Sequence, residues 1–572
     1  MTARTSPTSP AAEAPSLPRP RTVVVGAGIS GLASAALLAR EGHEVTLLEK
    51  NAQVGGRAGT HEADGFRWDT GPSWYLMPEV FDHFFRLFGT TSAAQLDLVT
   101  LDPGYRVFAS AMADTDSGVV PPIDVPLGRD RVRDLFERLE PGSGPRLDAY
   151  LDLASDAYDL ALRHFLHTTF DDLTTLAAPE VLARLGDLVP MLTGTLGDRI
   201  DRTVGHPALR QILGYPAVFL ANFPAGTPAI YQLMSRLDLV DGVQYPRGGM
   251  YALIEAIARL ARETGVEILT DHEVTAIHVD PRVPSATAVA RATAGLLGRL
   301  PGVTTGRVRE VVARAADGLH VFEADHVVTT ADLHHVETSL LPRAYRSRPP
   351  GSWHRRDPGM GAIVMLLGVE GRVPELAHHS LFLTADWRAN FAAVFGERAG
   401  GRAQLPEPAS VYVCAPSRTD DRVAPAGAEN IFVLVPCPAD AGLRADDPRV
   451  QEYCDRLLAD LGRRAGIADL PGRITYRKTL APAEFRADLH AWHGTVLGPA
   501  HTLFQSVWFR GRPRNSRVAG LWHAGAFTAP GVGLPMCLIG AQNVLKAVRG
   551  DTSTGPLDPE TVWEQAPERE AR

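Results

Sequence analysis

A glycine-rich turn between an apolar strand and a helix constrains the fold of this chain most strongly. The β-branched run Val23–Val25 leads into the turn, whose residues are Gly26, Ala27, Gly28, Ile29, Ser30 and Gly31. In a strand–turn–helix unit the first glycine permits the tight bend, the second lets the backbone approach a pyrophosphate, and the third lets helix and strand pack closely. The helix then directs free N–H groups at the phosphates. The segment therefore predicts a dinucleotide-binding domain.

An acidic residue ends the next strand and narrows the choice of nucleotide. Glu49 lies 18 residues after Gly31, near the roughly 20-residue spacing expected for a carboxylate that binds a ribose hydroxyl. A carboxylate there would repel a 2′-phosphate, which disfavours NADP. A signal peptide or membrane span is the alternative, because residues 22–39 carry no charge. That run only reaches the lower length limit for crossing a bilayer, and its glycines and serines make it modestly hydrophobic, so we favour the nucleotide interpretation.

The composition limits the class of protein. A chain of 572 residues is too long for one compact core, so two or more domains are expected. A net charge of −9 provides no basic surplus for nucleic acid. The four cysteines are scattered and the histidines show no H-E-x-x-H pattern, so neither a disulfide framework nor a metal site is predicted, and a reducing compartment is favoured. Residues 1–20 and 551–572 are predicted to be disordered and carry no apolar targeting core.

Further glycine clusters extend the nucleotide prediction. Gly55-Gly56-Arg57 permits another close backbone approach and offers a guanidinium to a diphosphate, with a solvated surface turn as the alternative. Near the other end of the chain, Gly533-Leu534-Pro535 opens an apolar helix whose amino terminus would stabilise a negative charge on a ligand. The same residues would also suit an ordinary packed strand–turn–helix unit.

Regular structure resumes after residue 245. Gly248-Gly249 precedes a helical apolar stripe that ends at Gly265. The remaining predicted elements are strands at 266–269, 273–279, 325–330 and 521–524, and a hairpin formed by residues 308–313 and 319–322 around an Ala-Asp-Gly turn. Residues 281–305, rich in Ala, Pro and Gly, predict a loop insertion.

Together these segments resemble the bacterial and fungal type phytoene desaturase family, a branch of the flavin-dependent amine-oxidase superfamily. The resemblance runs over residues 21–549. Blocks shared with the whole superfamily are GAGISGL (26–32), EKNAQVGGRA (49–58) and DTGPSW (69–74). More blocks match at YPRGGMYAL (245–253), AHHSLFLTADWRANFAAVF (377–395), YVCAPSRTDDRVAPAG (412–427), FVLVPCPAD (432–440) and LFQSVWFRGRPRNSRVAGLWHAGAFTAPGVGLPM (503–536). The YVCAPSRTD and LFQSVWFR blocks are the ones most particular to carotenoid desaturases.

The resemblance implies an α/β fold, with a doubly wound, Rossmann-like FAD-binding domain built from discontinuous segments and an interleaved α+β substrate domain. The implied division is a tail at 1–20, FAD-binding segments at 21–105, 245–340 and 503–550, a substrate and membrane-docking helical segment at 106–244, a second substrate segment at 341–502, and a tail at 551–572. The insertion at 281–305 falls within the second FAD-binding segment.

The resemblance also implies which residues hold FAD. Those expected at the diphosphate are Gly26, Ala27, Gly28, Ile29, Ser30, Gly31, Gly56 and Arg57. Glu49, with Lys50 beside it, is expected at the adenosine ribose, and the backbone of Val274 at the adenine edge. Those expected at the flavin ring are Gly71, Pro72, Gly525, Ala526, Gly533, Leu534, Pro535 and Met536. The chain departs from the family pattern at Ala529, where histidine is usual.

The implied reaction is the removal of hydride and proton from a C40 polyene, in the sense of phytoene towards lycopene. A quinone or oxygen would reoxidise the flavin. FAD carries the redox chemistry, so no protein acid or base is assigned. Transfer of a C40 hydrocarbon from water costs on the order of 30 kcal/mol at about 0.8 kcal/mol per methylene. We therefore expect a cytoplasmic protein associated peripherally with the membrane, with the apolar segments 181–197 and 214–234 forming either a docking surface and tunnel mouth or ordinary core.

Several related functions stay open at this stage. Carotenoid 3,4-desaturases, isomerases and ketolases share most of the motifs. An amine oxidase of the same superfamily is also possible, and some of those attach flavin to a cysteine near the position of Cys537, although a buried structural cysteine is favoured here. A prenyl-binding escort protein without redox turnover is disfavoured because the glycines of the flavin loops are all present.

Overall fold

The computed structural model describes residues 19–113, 118–170, 180, 183–282, 305–396, 404–506 and 509–564. The strands are β1 (Arg21–Val25), β2 (Glu44–Leu48), β3 (Thr60–Ala63), β4 (Phe66–Asp69), β5 (Leu98–Thr100), β6 (Tyr105–Ala109), β7 (Ile123–Val125), β8 (Gln244–Pro246), β9 (Glu267–Leu269), β10 (Glu273–Pro281), β11 (Gly306–Ala315), β12 (Gly318–Glu323), β13 (His326–Thr329), β14 (Met360–Glu370), β15 (His379–Leu383), β16 (Val411–Cys414), β17 (Ala428–Pro438), β18 (Ile474–Leu480), β19 (Val518–Ala519) and β20 (Leu521–His523). The longer helices are α1 (Ile29–Arg40), α2 (Pro78–Arg86), α3 (Arg129–Leu139), α4 (Gly144–Ala161), α5 (Leu185–Thr193), α6 (Leu196–Thr203), α7 (Pro207–Gly214), α8 (Tyr251–Glu263), α9 (Trp387–Phe395), α10 (Pro448–Ala465), α11 (Pro482–Leu489) and α12 (Leu534–Arg549).

A five-stranded parallel sheet carries the amino-terminal glycine turn. Its strand order is β20-β13-β1-β2-β9, so distant parts of the chain pair side by side. The run Val23–Val25 is buried because β1 lies in the middle of the sheet and is covered on both faces, as is usual for parallel strands. Helices α1, α8 and α12 share one apolar core with this sheet. The predicted doubly wound fold assembled from discontinuous segments is thereby confirmed.

A seven-stranded mixed sheet forms the centre of the second domain. Its order is β18-β14-β17-β16-β15-β6-β7. The strand β14 is buried almost throughout, and α10 packs against this sheet through an apolar face that includes Val450 and Leu458. Helices α3, α4, α6 and α7 cover β6 and β7 and form a third core around Phe136 and Leu151. These four helices fall within residues 106–244, whose assignment as a substrate and membrane-docking segment stays a prediction.

The smaller sheet confirms the predicted hairpin. Strands β10, β11 and β12 are consecutive and antiparallel, and β19 joins β11 in parallel. The turn between β11 and β12 contains the predicted Ala-Asp-Gly sequence. Most of the predicted insertion, residues 283–304, lies outside the described residues. The domain boundaries given above remain predictions.

The prediction of a disordered tail from residue 551 is wrong for residues 551–564. Leu557 and Val562 are buried in the core that contains α1 and α2. The indole N–H of Trp563 donates to the Leu87 carbonyl at 2.8 Å, and the Arg40 guanidinium lies 5.0 Å from the Trp563 ring. Three apolar side chains in an otherwise acidic segment are enough to fix it against the FAD-binding domain. The tails at 1–18 and 565–572 lie outside the described residues. Among the described helices none has the length and apolar character to cross a bilayer.

Candidate active site

A cavity of about 610 Å³ joins the glycine turn to the interior of the second domain. Most of the predicted cofactor residues line it, namely Gly26, Gly28, Ile29, Ser30, Glu49, Lys50, Gly56, Arg57, Gly71, Pro72, Val274, Gly525, Ala526, Gly533, Leu534, Pro535 and Met536. Ala27 and Gly31 do not line it but support the turn, as the contacts below show. The structure thus brings together at one cavity residues that are as much as 510 positions apart, from 26 to 536.

The turn requires glycine because the backbone passes very close to itself. A Cβ placed on Gly31 would lie 1.9 Å from the Gly26 carbonyl oxygen, well inside van der Waals contact. Gly26 itself adopts a φ of 98°, a left-handed conformation that favours glycine. Gly28 precedes α1, and no side chain caps the first N–H groups of that helix. Those donors and the positive end of the helix dipole are therefore left for an anion.

Glu49 supports the turn from the end of β2. One carboxylate oxygen accepts a hydrogen bond from the Ala27 N–H at 2.7 Å, and the other accepts from the Asn51 N–H at 2.9 Å. The side chain is buried yet lies in the cavity wall. The carboxylate therefore braces the phosphate-binding turn through Ala27. Its predicted contact with the ribose stays a prediction.

Arg57 is a partly buried cation, and none of the described residues satisfies its Nε or its Nη2 donor. Its Nε and Nη2 atoms are buried without a hydrogen-bond partner, and burial lowers the pKa of the guanidinium. Asp332 is the negative group that acts on it electrostatically. Burial raises the pKa of Asp332 to about 6, and the Arg57 charge partly opposes that rise. An unpartnered guanidinium beside an uncapped helix terminus fits the diphosphate of a dinucleotide.

Asp332 is a site residue that the sequence analysis did not single out. It follows β13, and its carboxylate accepts hydrogen bonds from the N–H groups of Trp492 at 2.9 Å and His334 at 2.9 Å. It lines the same cavity as Arg57. A weaker signal was present in the sequence, because Asp332 lies three residues after an apolar strand of the same parallel sheet, whereas Glu49 directly follows its strand.

A second helix terminus and a second buried arginine meet at the predicted flavin end. Helix α12 begins after Gly533, again without a side-chain cap. Arg510 is fully buried, and its guanidinium donates to the carbonyls of Ala526 at 2.6 Å, Pro499 at 2.9 Å and Gln505 at 3.1 Å. Burial lowers the pKa of Arg510 to about 10, so it stays charged at neutral pH.

Arg510 ends the LFQSVWFR block, and no pattern in the sequence indicates a role for it. Within the described part of the chain no carboxylate forms an ion pair with this arginine, so its charge is not neutralised locally. The loop that it anchors includes Ala529, which is buried in the cavity wall where the family usually has histidine. This end of the cavity therefore favours a ligand on which negative charge develops.

Cys537 lies at the first turn of α12 and also lines the cavity. Burial raises the pKa of its thiol, and the charges of Arg57 and Arg510 only partly oppose that rise. A protonated thiol is a weak nucleophile. This environment supports the structural interpretation of Cys537 over covalent attachment of flavin.

Beyond the glycine loops the cavity wall is apolar. The segments 181–197 and 214–234, expected to form a tunnel mouth or core, contribute Leu188, Leu192, Val218, Phe219, Ile230 and Leu233 to it. Val364, Phe432 and Leu434 from β14 and β17 line the opposite side. The cavity therefore has a cationic, glycine-rich end and an apolar end, which suits a dinucleotide beside a hydrocarbon.

Comparison with known proteins agrees with this site. The family described as flavin-containing amine oxidoreductase matches residues 29–545. The chain is 39% identical over 528 residues to the carotenoid 3,4-desaturase of Haloarcula japonica, covering 92% of this chain and 98% of that protein. It is 32% identical to the zeta-carotene-forming phytoene desaturase of Myxococcus xanthus, covering 92% of this chain and 93% of that protein.

Solved structures share the fold. An oxidoreductase from Methanosarcina mazei aligns with a TM-score of 0.56 at 17% identity, covering 92% of this chain and all of that one. Cyclohexylamine oxidase from Brevibacterium oxydans aligns with a TM-score of 0.53 at 14% identity, covering 93% of this chain and 99% of that one.

The chain therefore belongs to the flavin-containing amine oxidoreductase family, and its cofactor is FAD. Within that family it groups with the carotenoid desaturases. The family resemblance, the assignment as an FAD-dependent oxidoreductase and the choice of cofactor are thus confirmed. The role of each cofactor residue remains a prediction that the cavity geometry supports.

Proposed function

We propose that this enzyme desaturates an acyclic C40 carotenoid, removing a hydride and a proton from neighbouring carbons of the polyene. The observation that carries the proposal is the continuity of the cavity, which leads from the uncapped helix termini at Gly28 and Gly533 to a wall of aliphatic and aromatic side chains. The names of the relatives support oxidation of carbon–carbon bonds over the carbon–nitrogen bonds of an amine.

Bound FAD supplies the hydride acceptor in this proposal. The protein contributes position and polarity. Arg57 and the terminus of α1 would hold the diphosphate, and Arg510 with the terminus of α12 would stabilise negative charge at the flavin end. The apolar wall excludes water, which strengthens those electrostatic interactions. No protein acid or base is assigned to the proton.

Two substrates are candidates. Phytoene is the substrate that the sequence resemblance favours, with lycopene as the direction of the reaction. Desaturation at the 3,4 position of an already conjugated carotenoid is the second candidate, and the specific observation in its favour is the 39% identity to a protein named for that activity.

Expression in two bacterial hosts separates these candidates. One host accumulates phytoene and the other accumulates lycopene, and the extracted pigments are analysed by absorption spectroscopy and mass. Phytoene desaturase activity predicts a coloured polyene in the first host, with a loss of two hydrogens for each step. A 3,4-desaturase predicts colourless extract in the first host and a red-shifted product in the second. The Gly31→Val variant, in which the turn cannot form, is the control. Unchanged pigments in both hosts from a protein that retains FAD would refute the proposal.

The proposal includes a membrane surface as the source of the substrate. Val189 on α5 is 52% exposed and Phe504 is 72% exposed. Both lie close in sequence to residues that contact the cavity-lining segment Ala229–Leu233. Leu188, next to Val189, packs against Ile230. Ser506, two residues after Phe504, accepts a hydrogen bond from the Tyr231 hydroxyl at 3.1 Å. An apolar rim next to the apolar end of the cavity would let a hydrocarbon pass from the bilayer without crossing water.

Vesicle flotation tests this rim. We expect Phe504→Ser to reduce binding to liposomes several-fold and to slow turnover of a liposome-embedded substrate. Leu319→Ser is the matched control, because Leu319 is 64% exposed on β12 at the edge of the small sheet. Equal binding by both variants would remove the rim from the proposal.

Reoxidation by quinone or by oxygen is distinguished by assaying the same liposomes anaerobically, with and without an added quinone.

A further inference from the structure

A second cavity of about 650 Å³ adjoins the FAD cavity and has no part in the function proposed above. His335 and His490 line both cavities, and their rings stack face to face at 3.9 Å with an interplanar angle of 5°. This stacked pair is therefore the partition between the two. We refer to the second cavity as the arginine chamber, after the residues that line it.

Four arginines line the arginine chamber, at positions 346, 348, 356 and 486. Arg346 donates to the backbone carbonyls of Leu341 and Thr338, and Arg348 donates to the carbonyl of Arg510 at 3.1 Å. Within the part of the chain that the structure describes, Arg346, Arg348 and Arg486 form no ion pair. Backbone carbonyls orient Arg346 and Arg348 but do not neutralise their charge.

Glu337 is the acidic residue in the chamber wall, and it does not balance the arginines. Its carboxylate accepts from the hydroxyl of Ser347 and from the backbone N–H groups of Ser347 and Arg348. Burial raises its pKa, and these hydrogen bonds together with the charge of Arg348 oppose that rise. The chamber therefore concentrates positive charge in a chain whose net charge is −9.

His334 lies in the floor of the chamber. Burial lowers the pKa of His334 to about 4, and the positive charges of His493 and Arg486 add to that decrease. Trp492 stacks against His334 at 5.6 Å and meets Trp353 edge to face at 5.4 Å. These packed rings give the chamber a rigid floor, so its volume is set by the fold.

We propose that the arginine chamber binds a phosphate-bearing ligand other than FAD. Guanidinium groups bind phosphate oxygens in a bidentate geometry, and several unneutralised guanidiniums call for an anion of more than one charge. A phosphate monoester carries nearly two negative charges at neutral pH. The volume lies in the range of pockets for organic ligands rather than for a single inorganic ion, so the ligand carries an organic group as well.

The phosphate has two possible sources, a soluble ester or the headgroup of a phospholipid. Inorganic pyrophosphate is the probe for the first source, measured by isothermal titration calorimetry with the FAD-loaded enzyme so that the FAD site is filled. Vesicles that contain phosphatidic acid, whose headgroup is a phosphate monoester, are the probe for the second source, and phosphatidylcholine vesicles are their comparison. Absorbance of released flavin, recorded after each titration, excludes displacement of FAD as the origin of any heat.

The test variant is the double substitution Arg346→Gln with Arg486→Gln. The matched control is Arg343→Gln, because Arg343 is exposed on the same loop and does not line the chamber. We expect pyrophosphate to bind the wild-type enzyme, with affinity reduced at least tenfold in the double variant and unchanged in the control. If only the phosphatidic acid vesicles show this dependence on Arg346 and Arg486, the source is a lipid headgroup and the chamber assignment holds.

Two results would overturn the proposal. One is the absence of binding to both probes by an enzyme that retains FAD. The other is binding that the double variant and the control reduce equally, because the attraction would then come from general surface charge. Circular dichroism and flavin content of each variant establish that the fold is intact before these results are interpreted.

Discussion

Replacing Arg57 by methionine is expected to weaken FAD binding without weakening the apoprotein. The Nε and Nη2 atoms of Arg57 are buried without partners, so the free protein already bears the cost of desolvating this charge. Breaking a buried ion pair typically costs 3–5 kcal/mol, but removing an unpaired buried charge relieves its desolvation penalty. A hydrogen bond to a charged group contributes about 1.5–3 kcal/mol. Loss of one such bond to the diphosphate corresponds to a roughly 10- to 150-fold increase in Kd.

Two measurements on the same apoprotein test this prediction. Quenching of flavin fluorescence gives the Kd for FAD, and urea denaturation gives the free energy of unfolding. Arg57→Lys keeps the charge but loses the planar fork, so its Kd should fall between those of the wild type and Arg57→Met. Arg86→Met, at an exposed position on α2, should change neither quantity. An Arg57→Met apoprotein that is destabilised by 3 kcal/mol or more while its Kd for FAD is unchanged would show that Arg57 has a structural role.

The remaining predictions concern three other buried positions. Arg510→Met should lower the free energy of unfolding by roughly 3 kcal/mol or more, because three carbonyls each lose a donor at about 1–3 kcal/mol; an unaltered urea midpoint would contradict this. Gly31→Ala should reduce FAD retention at least tenfold because its Cβ would lie 1.9 Å from the Gly26 oxygen, whereas Gly186→Ala, with open space around it, should bind FAD normally. Burial raises the pKa of Asp238 to about 7, so its neutral form is favoured by folding. The resulting contribution to the free energy of unfolding is fully present below pH about 4 and is lost as the pH rises through 7. The free energy of unfolding falls over this range by up to about 1.4 kcal/mol per pH unit. Asp238→Asn should flatten the pH dependence of unfolding by this amount, and identical slopes would refute the assignment.

Elements with a strong local pattern could be predicted from the sequence. The unit from β1 to Glu49, the hairpin of β11 and β12 and the helix α12 appear where glycines, β-branched runs and apolar periodicity indicate them. These signals act within about twenty residues, and each has a steric or dipolar cause. The family resemblance indicates that the separated segments form one FAD-binding domain. Hydrophobic periodicity alone does not show which segments belong together.

Contacts between distant segments could not be predicted in this way. Arg510 reaches Ala526 and Pro499 only because the carboxyl-terminal loop folds back on itself, and no spacing in the sequence encodes those carbonyls. The composition of residues 551–564 alone favours disorder. Their docking depends on the hydrogen bond that the Trp563 indole donates to the Leu87 carbonyl. The arginine chamber likewise combines positions 346 and 486, which only the folded chain brings to one wall.

The positions of the arginines and helix termini explain how a protein of negative net charge can bind an anionic cofactor. A net charge of −9 would repel a dinucleotide diphosphate if it were spread evenly. Arg57 and two uncapped helix termini instead line the cavity, where low dielectric strengthens their effect and where salt screens them weakly. Arg510 is buried beside the cavity wall, against the carbonyl of Ala526. The Nε and Nη2 atoms of Arg57 have no hydrogen-bond partner among the described residues, whereas the Arg510 guanidinium donates to three carbonyls. The two arginines therefore have different roles. The first is left available to a ligand, and the second holds the loop that shapes the flavin end.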